Sequence, residues 1–386
     1  MQSFLSSVFA AFSPRANAAV LHSLDNLYLQ TILHRTHGIP GLASITRKDA
    51  LALSIQRMER GSYSSQFTFL PKTYVLPWQQ AKFLSTVSDG KWIVKPSNSS
   101  CGDGISIHSD SQLAVDAASS IFQSSADCGT SIISRYVPSP HLIHGHKFDL
   151  RLYAVLIPDS DHGGIKSFLY TDGLVRFCTD KYGGSMLTSQ ITNYTINSTV
   201  GSDNFVEDDE EGGVRGKDDE DVKNSAKLDY HKWSLAALLP HLPPSFNILE
   251  DAALIVAKVA ASAQIKKTGE KEGKRYELVG VDLLVDEKGC AWLIEVQNRP
   301  SLQPSSGLDT RIKGKLVKDI KSLVGEEEGG GVGNWVECVW GDAVEAGREA
   351  REDTVDREMF GKLMMEDDVI QYEVEMGKEA NGGYVC

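Results

Sequence analysis

The chain has 386 residues, of which 41% are hydrophobic, and a formal net charge of −13. That suits a water-soluble globular protein, and no run reaches the roughly eighteen apolar residues that a membrane-spanning helix needs; the acidic balance also speaks against a nucleic-acid partner, which wants a basic stripe. The cysteines, Cys101, Cys128, Cys178, Cys290, Cys338 and Cys386, are scattered with no CxxC pair, so neither a disulfide framework nor a structural zinc site is indicated and a reducing compartment is expected.

Charge is uneven along the chain. Residues 1–200 carry 16 basic and 13 acidic side chains, and the remainder carry 23 and 39. The acidic excess gathers in EDDEEGGVRGKDDED at 207–221, in GEEEGGG from Gly325 and in the tail. The first two are expected to be solvated, disordered insertions, because such compositions cannot bury enough apolar surface to offset ordering entropy.

In chain order, MQSFLSSVFAAFSPRANAAV lacks the basic start of a signal peptide; it reads as a weak organelle leader or a frayed terminus. Leu21 to His34 is a candidate helix. TRKDALALSIQRME is a second, with Thr46 as cap and Asp49 three residues on. FTFLPKTYVLP is a short extended segment, WQQAKFLSTV a helix, and WIVKP and GISIH are strands. SQLAVDAASSIFQ is a helix, and TSIISRYVP and KFDLRLYAVLI are strands. KSFLYTDGLVRFC is predicted as a hairpin about a D-G turn. WSLAALLPHL and NILEDAALIVAKVAASAQIKK are helices, and a strand pair, YELVGVDLLVD and AWLIEVQNRPSL, follows. The mixture is α+β.

Several of these segments can carry chemistry. In KWIVKPSNSSCGDGISI a strand ends at Lys95 and a loop with Gly102 and Gly104 follows; such a hairpin can turn backbone N–H groups onto an anion, or be a flexible surface hairpin. In HKFDLRLYAVLI one strand face presents Lys147, Asp149 and Arg151. Lining a cleft, Asp149 would order both basic neighbours, and Arg151 would hold a phosphoryl or carboxylate group at two points; a wholly exposed face is the alternative. PHLIHGH offers His141, His144 and His146 with no second cluster to complete a tetrahedral site, and they are read as solvated loop histidines.

The late hairpin is the sharpest feature. If Glu287 to Cys290 form its loop, Asp286 faces Ala291 and counting back sets Asp282 opposite Glu295, with Gln297 on the same face. Apposed carboxylates are destabilising unless something neutralises them, and a hard cation such as Mg²⁺ is the simplest relief. A register off by one would leave Asp282 at a solvated edge.

Taken together, HGIPGLASITRKD, FLPKTYVLP, WIVKPSNSSCGDGI, LIHGHKFDLRLY, LYTDGLVRF, ITNYTINS, HKWSL, YELVGVDLLVD and WLIEVQNRPSL resemble the tubulin–tyrosine ligase-like family, a branch of the ATP-grasp ligases, over roughly residues 36–324. The resemblance implies an ATP-grasp fold with a shortened amino-terminal lobe, a segment 1–35 before it, an acidic insertion at 200–224 and an acidic segment 325–386 after it. It implies ATP and Mg²⁺ as cofactors and amide-bond formation through an acyl phosphate. By the same resemblance Lys48 reaches into the cleft, Lys95 touches the phosphates, and Arg135, Tyr136 and Val137 line the adenine. Lys147 and Asp149 hold the nucleotide, Arg151 and Arg176 face the reacting groups, Asn193 assists at the phosphates, and Asp282, Glu295 and Gln297 bind the metal. The stretch LDTRIKGKLVKDIKSLVG resembles the polymodifying branches, which points to glutamate as the amino acid added. The implied acceptor is an alpha- or beta-tubulin tail or another acidic protein, and the protein is expected to be a cytoplasmic monomer, associated with the cytoskeleton or cilia, without nucleic-acid or membrane partners. Glycine or tyrosine ligation stays open. So does a nucleotide- or tubulin-binding pseudoenzyme, because Gln297 replaces a usual asparagine and Cys101-Gly102-Asp103-Gly104 replaces a usually basic loop.

Overall fold

Two antiparallel sheets organise the chain in the computed structural model, which describes residues 38–86, 90–99, 102–124, 129–159, 164–197, 232–265, 275–324, 333–343 and 346. The expectations for residues 1–35, including the helix from Leu21, and for the insertion at 200–224 lie outside these residues, as does most of 325–386. The smaller sheet has the order β1 (Thr73–Leu76), β4 (Ser131–Arg135), β2 (Trp92–Pro96), β3 (Ser106–His108). The larger runs β11 (Ala291–Asn298), β10 (Glu277–Val285), β6 (His146–Asp159), β7 (Gly164–Tyr170), β12 (Trp335–Cys338). β5 (Leu142–Ile143) and β8 (Leu174–Phe177) also pair with β6, and β9 (Lys232–Ser234) extends β8.

Helices seal three of the sheet faces. α1 (Ala43–Thr46) and α2 (Lys48–Arg60) lie between the sheets: Ile45, Leu51 and Ile55 pack on the large sheet's core, while Ala50, Ala52 and Leu53 meet Val75 and Ile132 of the small one. The outer face of the small sheet, Tyr74, Trp92, Val94 and Ile133, is covered by Phe83 of α3 (Gln80–Thr86) and Ala114, Val115 and Ala118 of α4 (Ser111–Ser124). Tyr194–Asn197 forms the one-turn α5 and Leu235–Leu238 the one-turn α6. α7 (Ile248–Ser262) covers the large sheet on the side of Phe148, Leu150, Leu152 and Ala154. α8 (Gly307–Leu323) covers the opposite side, but only where Tyr153, Val155 and Leu278 provide an apolar surface. Lys147, Asp149 and Arg151 share that side with Tyr153 by strand alternation. The sheet face under α8 therefore continues into a polar tract that faces the small sheet.

Four sequence expectations change. Thr46 does not cap α2; it ends α1, where its hydroxyl donates to Leu42 O, and the N-cap position belongs to Arg47. Asp49 does the local work instead, accepting from Ala50 N, the Arg47 fork and the Thr130 hydroxyl. Burial would raise its pKa, but these donors outweigh that and hold it below its ordinary value. The D-G segment is not a hairpin: β7 and β8 both run antiparallel to β6, one after the other on the same strand. Residues 171–173 interrupt the edge, with the Asp172 carboxylate accepting from Gly173 N. His146 is not in a solvated loop; it begins β6, is buried, and its Nδ1 pairs with Cys178 O at 3.0 Å. Finally, the acidic segment after 324 contributes to the fold. β12 joins β7, and Trp340 packs in the main core with its Nε1 donating to Gln66 Oε1 at 2.8 Å.

A Cβ on Gly173 would lie 2.7 Å from Arg151 O and 2.8 Å from Leu152 Cδ2. Gly173→Ala is therefore expected to cost about 1–3 kcal/mol, the usual range for overpacking, visible as a lowered melting temperature. An unchanged melting curve would mean that the edge at 171–173 yields without loss.

Candidate active site

The metal-candidate hairpin sets the frame. Its turn is built by Asp286, whose carboxylate accepts from Lys288 N, Cys290 N and Trp292 Nε1, with Gly289 in the left-handed region at φ 83°. Asp286 is spent on this turn, so the ladder begins one residue earlier than counted: Val285, not Asp286, faces Ala291. A β-bulge between Asp282 and Leu283 leaves Ile294 unpaired and restores the offset, so Asp282 does face Glu295. Gln297 follows on the same face, opposite Gly280.

Across β10 the same residue meets the Lys-Asp-Arg strand. Asp282 lies opposite Arg151 of β6, and Asp149 lies opposite Arg176 of β8. The Arg151 fork grips both Asp282 oxygens, through Nε to Oδ1 and through Nη2 to Oδ2 at 2.9 Å. The Arg176 fork grips Asp149 with two contacts of 2.7 Å and spares an Nη2 contact of 2.7 Å for Asp282 Oδ2. Thr192 also donates to Asp149. The expectation that Asp149 orders Lys147 and Arg151 is thus corrected: its charge is taken by Arg176 from the neighbouring strand, because cross-strand residues come closer than same-face neighbours along one strand. Burial would raise the Asp282 pKa, but Arg151 and Arg176 hold it well below its ordinary value; Asp282 is ionised at neutral pH.

A Cβ added on Gly280 would stand 3.3 Å from Pro300 Cβ and 3.4 Å from Arg151 Cδ. The arginine stem crosses the strand there.

The small sheet supplies lysines from above. Lys95 in β2 is buried, and burial lowers its pKa while Glu295, Asp282 and Asp149 pull it back up, so the acids of the large sheet face it. Lys48 at the start of α2 donates to Ser99 O at 2.7 Å and stands 3.6 Å from Glu295 Oε2. Gly102 and Gly104 both have positive φ, and a Cβ on Gly102 would fall 2.7 Å from Ile196 Cδ1 and 3.3 Å from Asn193 Cγ. The glycine loop therefore lies against the segment that carries Asn193, two sites with no sequence proximity.

The segment joining the lobes holds Tyr136 and Val137, both buried. Lys147 Nζ donates to Tyr136 OH at 3.0 Å and to Gln190 O at 2.7 Å, and lies 4.5 Å from the Tyr136 ring centroid. Burial pushes the Lys147 ammonium down to about 8, against partial support from Asp149. Arg135 departs from expectation. Strand alternation turns its side chain to the outer face, where the guanidinium sits 5.1 Å from the Trp92 ring and against Gly90, away from the polar tract.

Sequence reasoning assigned no role to Lys232, Thr192, Asp309 or Lys313. Lys232 pairs across from Arg176, and Asp309 joins it to Lys313. The signals were present only as unassigned motif letters in HKWSL, ITNYT and LDTRIKGK.

A polar sheet face bearing paired acids and arginines, overhung by a small sheet that lowers a lysine and a glycine loop toward it, is an ATP-grasp arrangement. The sequence matches the tubulin-tyrosine ligase family over residues 24–327, and the chain belongs to that family. It is similar to human tubulin monoglutamylase TTLL4, 32% identical over 306 residues that cover 74% of this chain and 23% of that protein. It is also similar to human tubulin polyglutamylase TTLL5, at 30% identity over 75% of this chain and 22% of the relative, and to human tubulin polyglutamylase TTLL7, at 29% over 75% and 32%. The chain spans about a quarter of the length of TTLL4 and TTLL5.

Proposed function

We propose that the protein is an ATP- and Mg²⁺-dependent ligase that joins glutamate, through an amide bond, to glutamate side chains of a tubulin tail. The observation that carries this is the sheet face on which Glu295, Asp282, Arg151, Asp149 and Arg176 adjoin one another under Lys95 and Lys48. The acceptor follows from the printed activities of the relatives, and a cytoplasmic or cytoskeletal location follows from that acceptor. The reading takes residues 36–324 as the catalytic unit, to which Trp335–Cys338 adds an edge strand and Trp340 a core side chain.

The reading gives the residues the following roles. Lys95, the amides around Gly102 and Gly104, and Asn193 hold phosphates; Lys147, Tyr136, Val137 and the Arg135 backbone border the base. Asp282 and Glu295, with the Gln297 amide oxygen, fit Mg²⁺: they are hard oxygen donors, ionised or neutral as the ion requires, and nucleotide phosphates commonly complete its octahedron. Among the described residues no cluster of three or more acid, histidine or cysteine side chains forms a self-sufficient metal site. When bound, the ion supplies charge neutralisation at the phosphates. Arg151 and Arg176 neutralise charge on the group in transfer. The acceptor carboxylate oxygen bonds to the γ-phosphorus while the bond to ADP breaks. The amino nitrogen of the incoming glutamate then bonds to the acyl carbon, the carbon–oxygen bond to phosphate breaks, and the nitrogen gives up its proton.

A binding-only role is the second reading. Asp103 places an acid in the glycine loop, and Asp282 is already engaged by two guanidinium groups. Calorimetric titration with ATP, with and without Mg²⁺, separates the two: the ligase requires tight Mg²⁺-dependent binding, and metal-independent binding or none supports the other role.

Lys147 gives this titration a pH signature. A group with its pKa near 8 is charged below that pH and neutral above it, and a bound nucleotide, a polyanion, favours the charged form. ATP binding is expected to take up close to one proton at a pH of about 9 and to weaken up to tenfold per unit above 8. Lys147→Met should abolish the uptake, and uptake that persists in that variant would reassign it to another group.

A further inference from the structure

Asn193 is assigned to the phosphates, and residues 190–193 around it are held at every position. Gln190 O accepts from Lys147 Nζ at 2.7 Å and from Tyr136 OH at 3.2 Å. The Thr192 hydroxyl donates to Asp149. Ile191 O and Asn193 O both accept from one side-chain nitrogen, Asn197 Nδ2, at 2.7 Å and 2.9 Å.

The oxygen of that amide is equally committed. Asn197 Oδ1 accepts from Thr179 N at 2.7 Å, and the Thr179 hydroxyl shares its hydrogen between Oδ1, at 3.0 Å, and Asn197 O, at 3.1 Å. Both amide hydrogens and both oxygen lone pairs are therefore in use, the full capacity of the group, and Asn197 is only 2% exposed, out of reach of water. Aspartate would offer the two carbonyls no donor, and glutamine would set its amide one methylene too far.

The two arms that Asn197 joins both belong to the site. Thr179 continues β8 three residues past Arg176, where Cys178 N still bonds to Lys147 O at 2.8 Å. Arg176 and Thr192 both donate to Asp149. Asp149 thus ties the arms together at one point and Asn197 at a second. The glycine loop rests on the same turn, since a Cβ on Gly102 would meet Ile196 Cδ1 at 2.7 Å and Asn193 Cγ at 3.3 Å. A shift of the 191–197 turn would therefore carry Asn193 and the seat of the glycine loop with it, away from their places opposite Arg176.

We propose that Asn197 is a positioning residue for the phosphate end of the nucleotide: its carboxamide fixes Asn193 and the glycine loop relative to Arg176, and it touches no substrate itself. This rests on the ligase reading and deepens it. The base end is held separately, by Lys147 and Tyr136 at Gln190. Loss of the Asn197 amide therefore loosens one end of the site and leaves the other in place.

The test compares Asn197→Ser with wild type in the full chain, well below the melting transition of both. Serine is neutral, so it brings no charge toward the phosphates, and it is too short to span the groups that the amide joins. Calorimetry with AMP and with Mg·ATP reads the base end and the phosphate end separately. AMP affinity is expected to stay within about threefold, Mg·ATP affinity to fall about tenfold or more, and kcat for glutamate transfer to tubulin at saturating Mg·ATP to fall by about 10², the scale of a misplacement of about 1 Å. A merely structural residue would lower the melting temperature and the folded fraction and leave the ratio of the two affinities as in wild type, and that result overturns the proposal. Should Asn197→Ser fail to fold, Thr179→Val removes only the hydroxyl contacts and is expected to lower the preference for Mg·ATP over AMP by about threefold; an unchanged preference overturns the proposal. Wild type that prefers Mg·ATP to AMP and transfers no amino acid overturns the ligase reading, and the proposal for Asn197 is then decided by the ratio of affinities alone.

Discussion

Asp282→Asn should lose Mg²⁺-dependent nucleotide binding and melt on the order of 10 °C lower than wild type, if the buried pair costs about 3–5 kcal/mol to break and each kcal/mol shifts the midpoint about 2–4 °C. Two effects combine at this one side chain. Asp282 lies against Glu295 on one neighbouring strand and against Arg151 on the other. It also takes contacts from both guanidinium forks, whose side chains are 15% and 13% exposed. Asparagine keeps the shape and one acceptor but brings two hydrogens where an arginine fork expects oxygen, and it removes the charge that balances two cations. Loss of stability is thus expected even without ligand, and loss of metal dependence with it. Calorimetric binding and a thermal melt of the same sample read the two separately. A variant that retained both its melting temperature and its Mg²⁺-dependent affinity would remove Asp282 from the metal site and from the structural network together.

Arg151→Lys tests the other half of the tract. Lysine keeps the charge but is a point donor and cannot grip both oxygens of a carboxylate or phosphoryl group in one plane. ATP affinity is expected to stay within about tenfold, because the nucleotide is held mainly from the small sheet, while turnover falls by about 10² or more, since the interaction strengthens where charge develops in transfer. The kinetic split matters because Arg151 also serves Asp282. A purely structural arginine would lose stability and metal affinity on substitution, and turnover per bound nucleotide would survive. Full turnover in Arg151→Lys would assign it to that structural role.

Local patterns made much of the site legible. Alternation along β6 set Lys147, Asp149 and Arg151 on one face, and that face is the polar tract. Hairpin chemistry predicted Asp282 opposite Glu295, but through two compensating features: the turn took Asp286 out of the ladder, and the bulge at Ile294 put the offset back. A bulge leaves little trace in sequence because it costs only one unpaired residue. The D-G segment misled for a related reason. An Asx-type contact stabilises a bend as readily as a reversal, and whether β8 folds back on β7 or continues along β6 is decided by which strand offers a free edge.

Pairings made across strands were the least visible. Arg176 neutralises Asp149 from 27 positions away, and Lys232 meets Asp309 from 77. Neither distance carries a periodic signal. Lys232 is also separated from β8 by the acidic run at 207–221, which hides a continuous sheet edge inside a polar stretch of sequence. Arg135 erred in the opposite way: its neighbour Tyr136 meets Lys147 of the polar tract, and strand alternation alone would have sent the Arg135 side chain to Trp92.

The ligase reading is tested by incubating the protein with tubulin, ATP, Mg²⁺ and labelled glutamate, with labelled glycine and tyrosine in parallel, and measuring label in the tubulin tails by mass spectrometry. Glutamate should be incorporated only when ATP and Mg²⁺ are both present, on glutamate side chains, with one ADP released per residue added. Incorporation of none of the three amino acids into several tubulin isotypes, by a sample that binds Mg·ATP, would contradict it.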